Sequence, residues 1–163
     1  MNQILQTALL KDSGEAYWVF GELYNIKVTA AETGGRLAVV ETMTFPQNGP
    51  PMHTHTYEDE SFYVLDGRFQ FTVGEQTFEV GPGGFVFAPR GVMHGYRNIS
   101  ALPARKLVMI TPGGFENFLR EIGEKATQRV GAPPHRPGVI EKGLAAAEKY
   151  GLRIQIPDGV GLG

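Results

Sequence analysis

Glycine and proline divide this chain into short apolar segments, and this division restricts the fold more than any other feature. The 163 residues include 22 glycines and 11 prolines, which recur between stretches where apolar and polar residues alternate. Alternation with a period of two is typical of a strand with one buried face, and frequent turn residues keep strands short. The sequence therefore predicts an antiparallel, all-β domain.

Residues 61–80 show this pattern most clearly. Asp66-Gly67 and Gly74-Glu75 both suit tight hairpin turns. Closing the first turn pairs Phe62 with Phe71, and closing the second pairs Phe71 with Phe78. One face of the predicted sheet then carries Glu60 and a set of aromatic and branched residues: Phe62, Val64, Phe69, Phe71, Val73, Phe78 and Val80.

After Pro112 the apolar period changes from that of a strand to that of a helix. Phe115, Phe118, Leu119 and Ile122 recur at helical spacing, and residues 139–150 form a second helix candidate that Gly151 ends. We divide the chain into an N-terminal segment (1–15), a β domain (16–112) and a C-terminal helical extension (113–163) that packs on the β domain.

Composition excludes several classes of protein. The 15 basic and 17 acidic residues give a net charge of -2, without a basic run that could follow nucleic acid. The absence of cysteine excludes disulfides, thiolate metal sites and cysteine nucleophiles. Near the N-terminus, the longest apolar run is Ala8-Leu9-Leu10, which is too short to span a membrane. We expect a cytoplasmic protein that binds neither nucleic acid nor a membrane.

Three of the four histidines and one glutamate have the spacing of a metal site. His53 and His55 lie two residues apart, so both point to one face of a strand, and Glu60 and His94 follow. Imidazole nitrogens and a carboxylate suit one divalent transition metal, whether iron, manganese, nickel, cobalt, copper or zinc. Four such ligands leave open positions on an octahedral ion, as a catalytic site requires.

Three acidic residues compete for the fourth ligand position. Glu58 and Asp59 precede Glu60, but the predicted register places Glu60 on the inner face of the sheet. We therefore choose Glu60 as the ligand and assign Glu58 and Asp59 to a solvated turn. The fourth histidine, His135, lies among prolines and is predicted to be a surface residue.

Two segments resemble the motifs of the cupin family. The run GPPMHTH, followed by Glu60 and Gly67, resembles the first motif, although three residues rather than five separate Gly49 from His53. The run GGFVFAPRGVMHGYRN (83–98) resembles the second motif with every position in register. The resemblance covers residues 19–112. It implies a small jelly-roll barrel with one metal ion in its mouth, bound by His53, His55, Glu60 and His94.

The inner face of the predicted sheet limits the substrate. Because it carries no lysine or arginine, a phosphorylated sugar is disfavoured and a largely apolar, oxygen-chelating small molecule is favoured. Tyr57 and Tyr96 are either packing residues or hydroxyl partners of the substrate. We expect the pocket to be lined by Phe62, Val64, Phe69, Phe71, Phe78, Phe87, Met93 and Tyr96.

Within the cupin family, the chain looks most like bacterial quercetinase-like proteins. That likeness implies a dioxygenase in which Glu60 is the catalytic base and the deprotonated substrate reacts with dioxygen. Two alternatives stay open. One is a metal-dependent module that binds or senses a small molecule without catalysis. The other is a decarboxylase or hydrolase of a small acid, for which Arg90 or Arg97 should line the mouth.

The sequence also predicts a homodimer. Tyr17 and Tyr63 fall at outward-facing positions of the predicted strands, and similar cupins commonly pair.

Overall fold

The computed structural model describes residues 8–131 and 138–156, which form two antiparallel sheets around a shared core. The seven-stranded sheet has the order β11-β1-β2-β3-β10-β5-β8 and consists of β1 (Ala16–Val19), β2 (Glu22–Val28), β3 (Ala38–Thr44), β5 (Asp59–Asp66), β8 (Phe85–Ala88), β10 (Ala104–Thr111) and β11 (Glu124–Lys125). The five-stranded sheet has the order β12-β4-β9-β6-β7 and consists of β4 (His53–His55), β6 (Phe69–Val73), β7 (Gln76–Val80), β9 (His94–Asn98) and β12 (Leu152–Ile154). The predicted all-β, jelly-roll class is confirmed.

Three helices connect or flank the strands in the described ranges. They are α1 (Ala30–Thr33), α2 (Glu116–Ile122) and α3 (Val139–Ala147), and a 3-10 turn over Glu148–Tyr150 follows α3. Gly151 ends that turn at a φ of 64°, as the sequence predicted. None of these helices has the length and apolarity needed to cross a membrane.

The turn at Asp66-Gly67 is a corner between the two sheets, so the predicted hairpin at this point is wrong. β5 pairs with β10 and β8, whereas β6 pairs with β7 and β9. Gly67 has a φ of 75°, and a Cβ there would lie 2.4 Å from the Cβ of Ala104. The corner lets the two strands bury their apolar faces against each other across the core. The second predicted hairpin is confirmed, with Phe71 opposite Phe78.

The core lies between the sheets and contains the inward side chains of both. Phe62 on β5 and Phe71 on β6 are 1% exposed, and their ring centroids lie 5.2 Å apart. Burial of each such aromatic side chain stabilises the fold by roughly 1.5–3 kcal/mol. These two rings therefore pack against each other across the space between the sheets.

The C-terminal segment contributes to both sheets and is not only a helical extension. β11 pairs with β1, and β12 pairs with the whole of β4. The helix α2 buries Phe118, Leu119 and Ile122. Because β4 carries two predicted metal ligands, the segment after Pro112 reaches the candidate site.

The two tyrosines behind the homodimer prediction differ in exposure. Tyr63 is 41% exposed. Tyr17 is half-buried, because β11 covers one edge of β1, and its hydroxyl donates a hydrogen bond to Glu15. Tyr17 therefore gives little support for an interface, and the homodimer stays a prediction.

Candidate metal centre

The structure brings the four predicted metal ligands together. β4 and β9 are neighbours in one sheet, where His53 lies opposite His94, and β5 places Glu60 against them from the other sheet. The ligand atoms of His53, His55, Glu60 and His94 all lie within 4.8 Å of one another. The two sheets thus converge on a single position.

Oxygen Oε2 of Glu60 is the centre of this group. It lies 2.8 Å from Nε2 of His94, 3.4 Å from Nε2 of His55 and 3.8 Å from Nε2 of His53. His55, Glu60 and His94 are at most 5% exposed. All three ring nitrogens therefore point at one shielded site.

Backbone carbonyls fix the orientation of two of the rings. Nδ1 of His53 lies 2.7 Å from the Pro51 carbonyl, and Nδ1 of His94 lies 2.9 Å from the Val92 carbonyl. Since a carbonyl only accepts, each Nδ1 carries the proton and each Nε2 presents a lone pair. A lone pair and a carboxylate oxygen repel each other unless a proton or a cation lies between them. The arrangement fits a bound cation.

His55 supplies a second test of that fit. Both of its ring nitrogens are buried and lack a hydrogen-bond partner. Buried polar groups are rarely left unpaired, so an unpartnered imidazole facing two others indicates a ligand position. Nδ1 of His55 lies 3.3 Å from Oε2 of Glu58, although the two groups are not aligned as a hydrogen bond.

Electrostatics at the cluster favour positive charge. Burial lowers the pKa of His55, but the charge of Glu60 and the contacts of Glu58 outweigh burial and raise it to about 9. Burial raises the pKa of Glu60, yet the charge of His55 and the polar contacts with all three rings hold it well below its usual value. Burial lowers the pKa of His53. Glu60 is therefore ionised, as a metal ligand must be.

Glu58 does not lie in a solvated turn, so that prediction is wrong. It is 7% exposed, because the turn after β4 brings its carboxylate back beside His55. Asp59 is partly exposed and accepts hydrogen bonds of 2.8 and 3.1 Å from the guanidinium of Arg90, which lowers its pKa to about 2. Neither Arg90 nor the exposed Arg97 lines the cavity beside the metal ligands.

A cavity of about 600 Å³, including its open mouth, adjoins the cluster. Its polar lining includes His53, His55 and Glu60, and neither lysine nor arginine lines it among the described residues. Of the predicted pocket residues, Phe62 and Tyr96 line it, whereas Val64, Phe69 and Phe71 are buried in the core behind it. The remaining lining is mainly apolar: Val19, Phe20, Tyr24, Val40, Pro50, Pro51, Val108, Ile110, Phe115, Phe118, Leu119, Leu152 and Ile154.

Three residues predicted for the pocket lie on the surface instead. Phe87 is 51% exposed because β8 turns its neighbours Val86 and Ala88 inward. Phe78 is 41% exposed because β7 is an edge strand of the five-stranded sheet. Met93 is 39% exposed in the turn before β9. Apolar character alone did not reveal which face each residue occupies.

The C-terminal segment provides pocket residues that the sequence analysis missed. The ring of Phe115 meets the ring of His55 edge to face at 4.4 Å between centroids. On β12, Leu152 lies opposite His55 and Ile154 opposite His53. The helical spacing of Phe115, Phe118 and Leu119 did predict a buried apolar face, but the surface that covers it depends on the tertiary fold.

A two-sheet barrel with three histidines and a glutamate at its mouth defines a class of small metal-site β-barrels. Residues 41–110 match the family model described as the Cupin domain. The chain therefore contains a region, residues 41–110, that matches a cupin domain.

Curated relatives are similar over part of their length. Quercetin 2,3-dioxygenase of Bacillus subtilis is 28% identical over 103 residues, which cover 63% of this chain and 30% of that protein. An uncharacterized protein of Streptomyces coelicolor is 40% identical over 55 residues, which cover 34% of this chain and 51% of that protein. The chain thus spans about half or less of the curated relatives it matches.

Solved structures share the fold. The structure of KdgF from Halomonas sp. has a TM-score of 0.62 and 18% identity, covering 69% of this chain and 99% of that one. A predicted oxalate decarboxylase from Thermotoga maritima has a TM-score of 0.61 and 14% identity, covering 66% and 99%. At these identities the likeness shows the fold alone.

Proposed function

We propose that this chain is a metal-dependent dioxygenase whose substrate is a small, largely apolar aromatic molecule with chelating oxygens. The observation that carries the proposal is the position of the three-histidine, one-glutamate cluster, which opens directly into an apolar cavity. Apolar walls with a few convergent polar groups are typical of sites that bind such molecules. The similarity to a quercetin 2,3-dioxygenase supports the same reaction class.

The chain's own residues divide the work between holding the ion and moving a proton. His53, His55 and His94 would hold the ion through Nε2, together with Glu60. A bound divalent ion supplies Lewis acidity that makes a coordinated hydroxyl group more acidic. Glu60, ionised and buried, accepts the proton of the substrate hydroxyl at its carboxylate. The ring of Phe115 and the strand β12 shield this position from water.

Charge disfavours the competing decarboxylase of a small acid. A substrate carboxylate away from the metal ligands needs a second cation or several donors. Arg90 is held by Asp59, and Arg97 points to solvent, so neither is available to the cavity. The cavity instead suits a neutral substrate.

Oxygen consumption tests the proposal. The purified protein, loaded separately with iron, manganese, cobalt, nickel, copper or zinc, should consume dioxygen with a flavonol, a catechol or a diketone in at least one metal form. Glu60→Gln should lose that activity, while Glu79→Gln, at an exposed carboxylate bound to Arg68, should keep it. Metal loading without oxygen uptake for any substrate contradicts the proposal. Substrate binding without product would then identify a binding module.

A further inference from the structure

A second buried polar cluster lies in the wall of the same cavity. We call it the Glu22 cluster, and its members are Glu22, Tyr24, Thr44, Tyr96 and Lys106. Oε2 of Glu22 accepts a hydrogen bond of 2.8 Å from the Tyr24 hydroxyl and one of 3.0 Å from the Tyr96 hydroxyl. Oε1 of Glu22 accepts a bond from Thr44. Glu22 and Lys106 are fully buried, and both tyrosines line the cavity.

The polar hydrogens of the Glu22 cluster are directed at other protein groups and not into the cavity. A tyrosine hydroxyl has one proton, and Tyr24 and Tyr96 both donate theirs to Glu22. The ammonium of Lys106 lies 2.8 Å from the Thr42 hydroxyl, 3.1 Å from the Thr44 hydroxyl and 3.8 Å from Glu22. Lys106 does not line the cavity. The tyrosine oxygens therefore have only lone pairs left to offer.

Donation to a carboxylate strengthens those lone pairs as acceptors. A hydroxyl that donates to an ionised group is polarised, and its oxygen accepts more strongly in turn. A ligand hydroxyl or N–H can pair with such an oxygen. An ether, a carbonyl oxygen or a carboxylate cannot, because none of them has a hydrogen to donate.

The cluster is placed to contact a substrate held at the metal site. Tyr96 follows His94 by two residues on the same strand, and the side chains of both are buried toward the barrel interior. Two residues of a strand span about 7 Å, roughly the width of one aromatic ring with its substituents. Tyr24 lies on β2, in the other sheet from Tyr96, and donates its hydrogen bond to the same carboxylate of Glu22. A ring whose oxygens occupy the metal site would thus bring its far substituents toward these hydroxyls.

We propose that Tyr24 and Tyr96 form a subsite that selects substrates bearing a hydroxyl or other hydrogen-bond donor away from the metal-chelating oxygens. This inference rests on the proposed function for the position of the substrate. The subsite requires a hydrogen-bond donor on the substrate, which the metal ligands do not require, because chelation involves only the other end of the substrate.

Binding measured without turnover tests the subsite. Titration calorimetry of the metal-loaded protein under argon compares 3-hydroxyflavone with derivatives that carry a hydroxyl or a methoxy group on the distal ring. All share one chelating end. The hydroxyl derivatives should bind about five to ten times more tightly than the matching methoxy derivatives, which is the size of one hydrogen bond.

Phenylalanine variants assign the effect to the two tyrosines. In Tyr24→Phe and in Tyr96→Phe the hydroxyl preference should fall to about twofold or less. The control Tyr63→Phe, at an exposed tyrosine on the outer face of β5, should keep it. Because the readout is a ratio within each protein, a uniform loss of affinity in a variant does not mimic the result.

Two outcomes separate this inference from the proposed function. A hydroxyl derivative that binds no more tightly than its methoxy partner in the unmodified protein, including the case where neither binds, overturns the subsite. An unchanged preference in both phenylalanine variants overturns it as well. If the protein prefers the hydroxyl derivatives but consumes no oxygen in air, the result supports the subsite and contradicts the proposed dioxygenase activity.

Discussion

Two clusters of buried polar residues lie in one small barrel and differ in how completely they are paired. The first is the metal-ligand cluster of His53, His55, Glu60 and His94. There, both ring nitrogens of His55 lack a partner, and three Nε2 atoms surround one oxygen of Glu60. In the Glu22 cluster, both tyrosine hydroxyls, the Thr44 hydroxyl and the Lys106 ammonium have partners. Unpaired buried atoms indicate a position for a ligand. Polar groups that already have partners need no ligand to satisfy them.

The clusters also differ in how they balance charge. Lys106 provides a cation 3.8 Å from Glu22, so that cluster neutralises itself. The carboxylate of Glu60 forms its ion pairs with His53, His55 and His94, whose charge depends on a proton. The charge pair of the Glu22 cluster should therefore control the stability of the fold, whereas the cluster of His53, His55, Glu60 and His94 should control whether a metal ion binds.

Removing two ligands should abolish metal binding. In His53→Ala/His55→Ala we expect each lost imidazole to cost more than 100-fold in affinity, because even loss of a supporting contact costs 10–100-fold. Together the loss is at least about 10⁴-fold, or about 5.5 kcal/mol. Elemental analysis after dialysis measures it, with Glu79→Gln as the folded control. Full metal content in the double variant would place the ion elsewhere.

Lys106→Met should be the most destabilising single change in the Glu22 cluster. It leaves Glu22 buried without its cation and removes the hydrogen bonds that the Lys106 amine, charged or neutral, donates to Thr42 and Thr44. Breaking a buried pair in this way typically lowers the free energy of unfolding by about 3–5 kcal/mol. Urea denaturation measures the loss. Adding Glu22→Gln to this variant should recover part of it, since the uncompensated charge is then gone. Lys149→Met, at an exposed lysine bound to Glu121, should show no measurable loss. A loss below about 1 kcal/mol in Lys106→Met contradicts the charged pair.

Alkaline pH should stabilise the protein through Lys106. Burial lowers the pKa of Lys106 from 10.5 to about 8, and the charge of Glu22 only partly offsets burial. Between these values the unfolded chain binds more protons than the folded one, so the free energy of unfolding rises with pH. We expect a gain of about 2 kcal/mol between pH 8 and 10. Above pH 10 the buried Tyr24 and Tyr96, whose pKa values burial raises, act in the opposite direction.

The variant Lys106→Met isolates this pH dependence. Its unfolding free energy should lack the rise between pH 8 and 10 that the unmodified protein shows. Equal slopes in the two proteins would mean that another group titrates there.

Local spacing was sufficient for the metal cluster and insufficient for the Glu22 cluster. His53 and His55 share a face because they are two residues apart, and Glu60 shares a face with Phe62 and Val64 along β5 for the same reason. The predicted pairing of Phe62 with Phe71 across the first turn was wrong, but the alternation within β5 did not depend on it. Alternation along one strand is a local property, so it can be read from sequence.

Contacts between sheets depend on where the chain turns a corner. Tyr96 and Glu22 are 74 positions apart and belong to different sheets, and nothing in either local pattern relates them. The inward position of Lys106 could not be predicted from apolar patterning, because a paired lysine can be fully buried. Phe87 was misplaced for the converse reason, since it is apolar and exposed.

Glu58→Gln tests a residue that lies beside the metal ligands in sequence but whose contact with His55 the local spacing did not predict. Glu58 touches no predicted ion position, but its carboxylate lies 3.3 Å from Nδ1 of His55 and can orient that ring. A carboxylate behind a metal-bound histidine typically contributes 10–100-fold in affinity. We therefore expect Glu58→Gln to lower metal affinity by about 10-fold, since the amide keeps an accepting oxygen and loses the charge. Competition with a chromogenic chelator measures the change. If affinity is unaltered in Glu58→Gln and falls in Phe115→Leu, the ring of Phe115 at 4.4 Å orients His55 instead, and the centre depends on packing from the C-terminal segment.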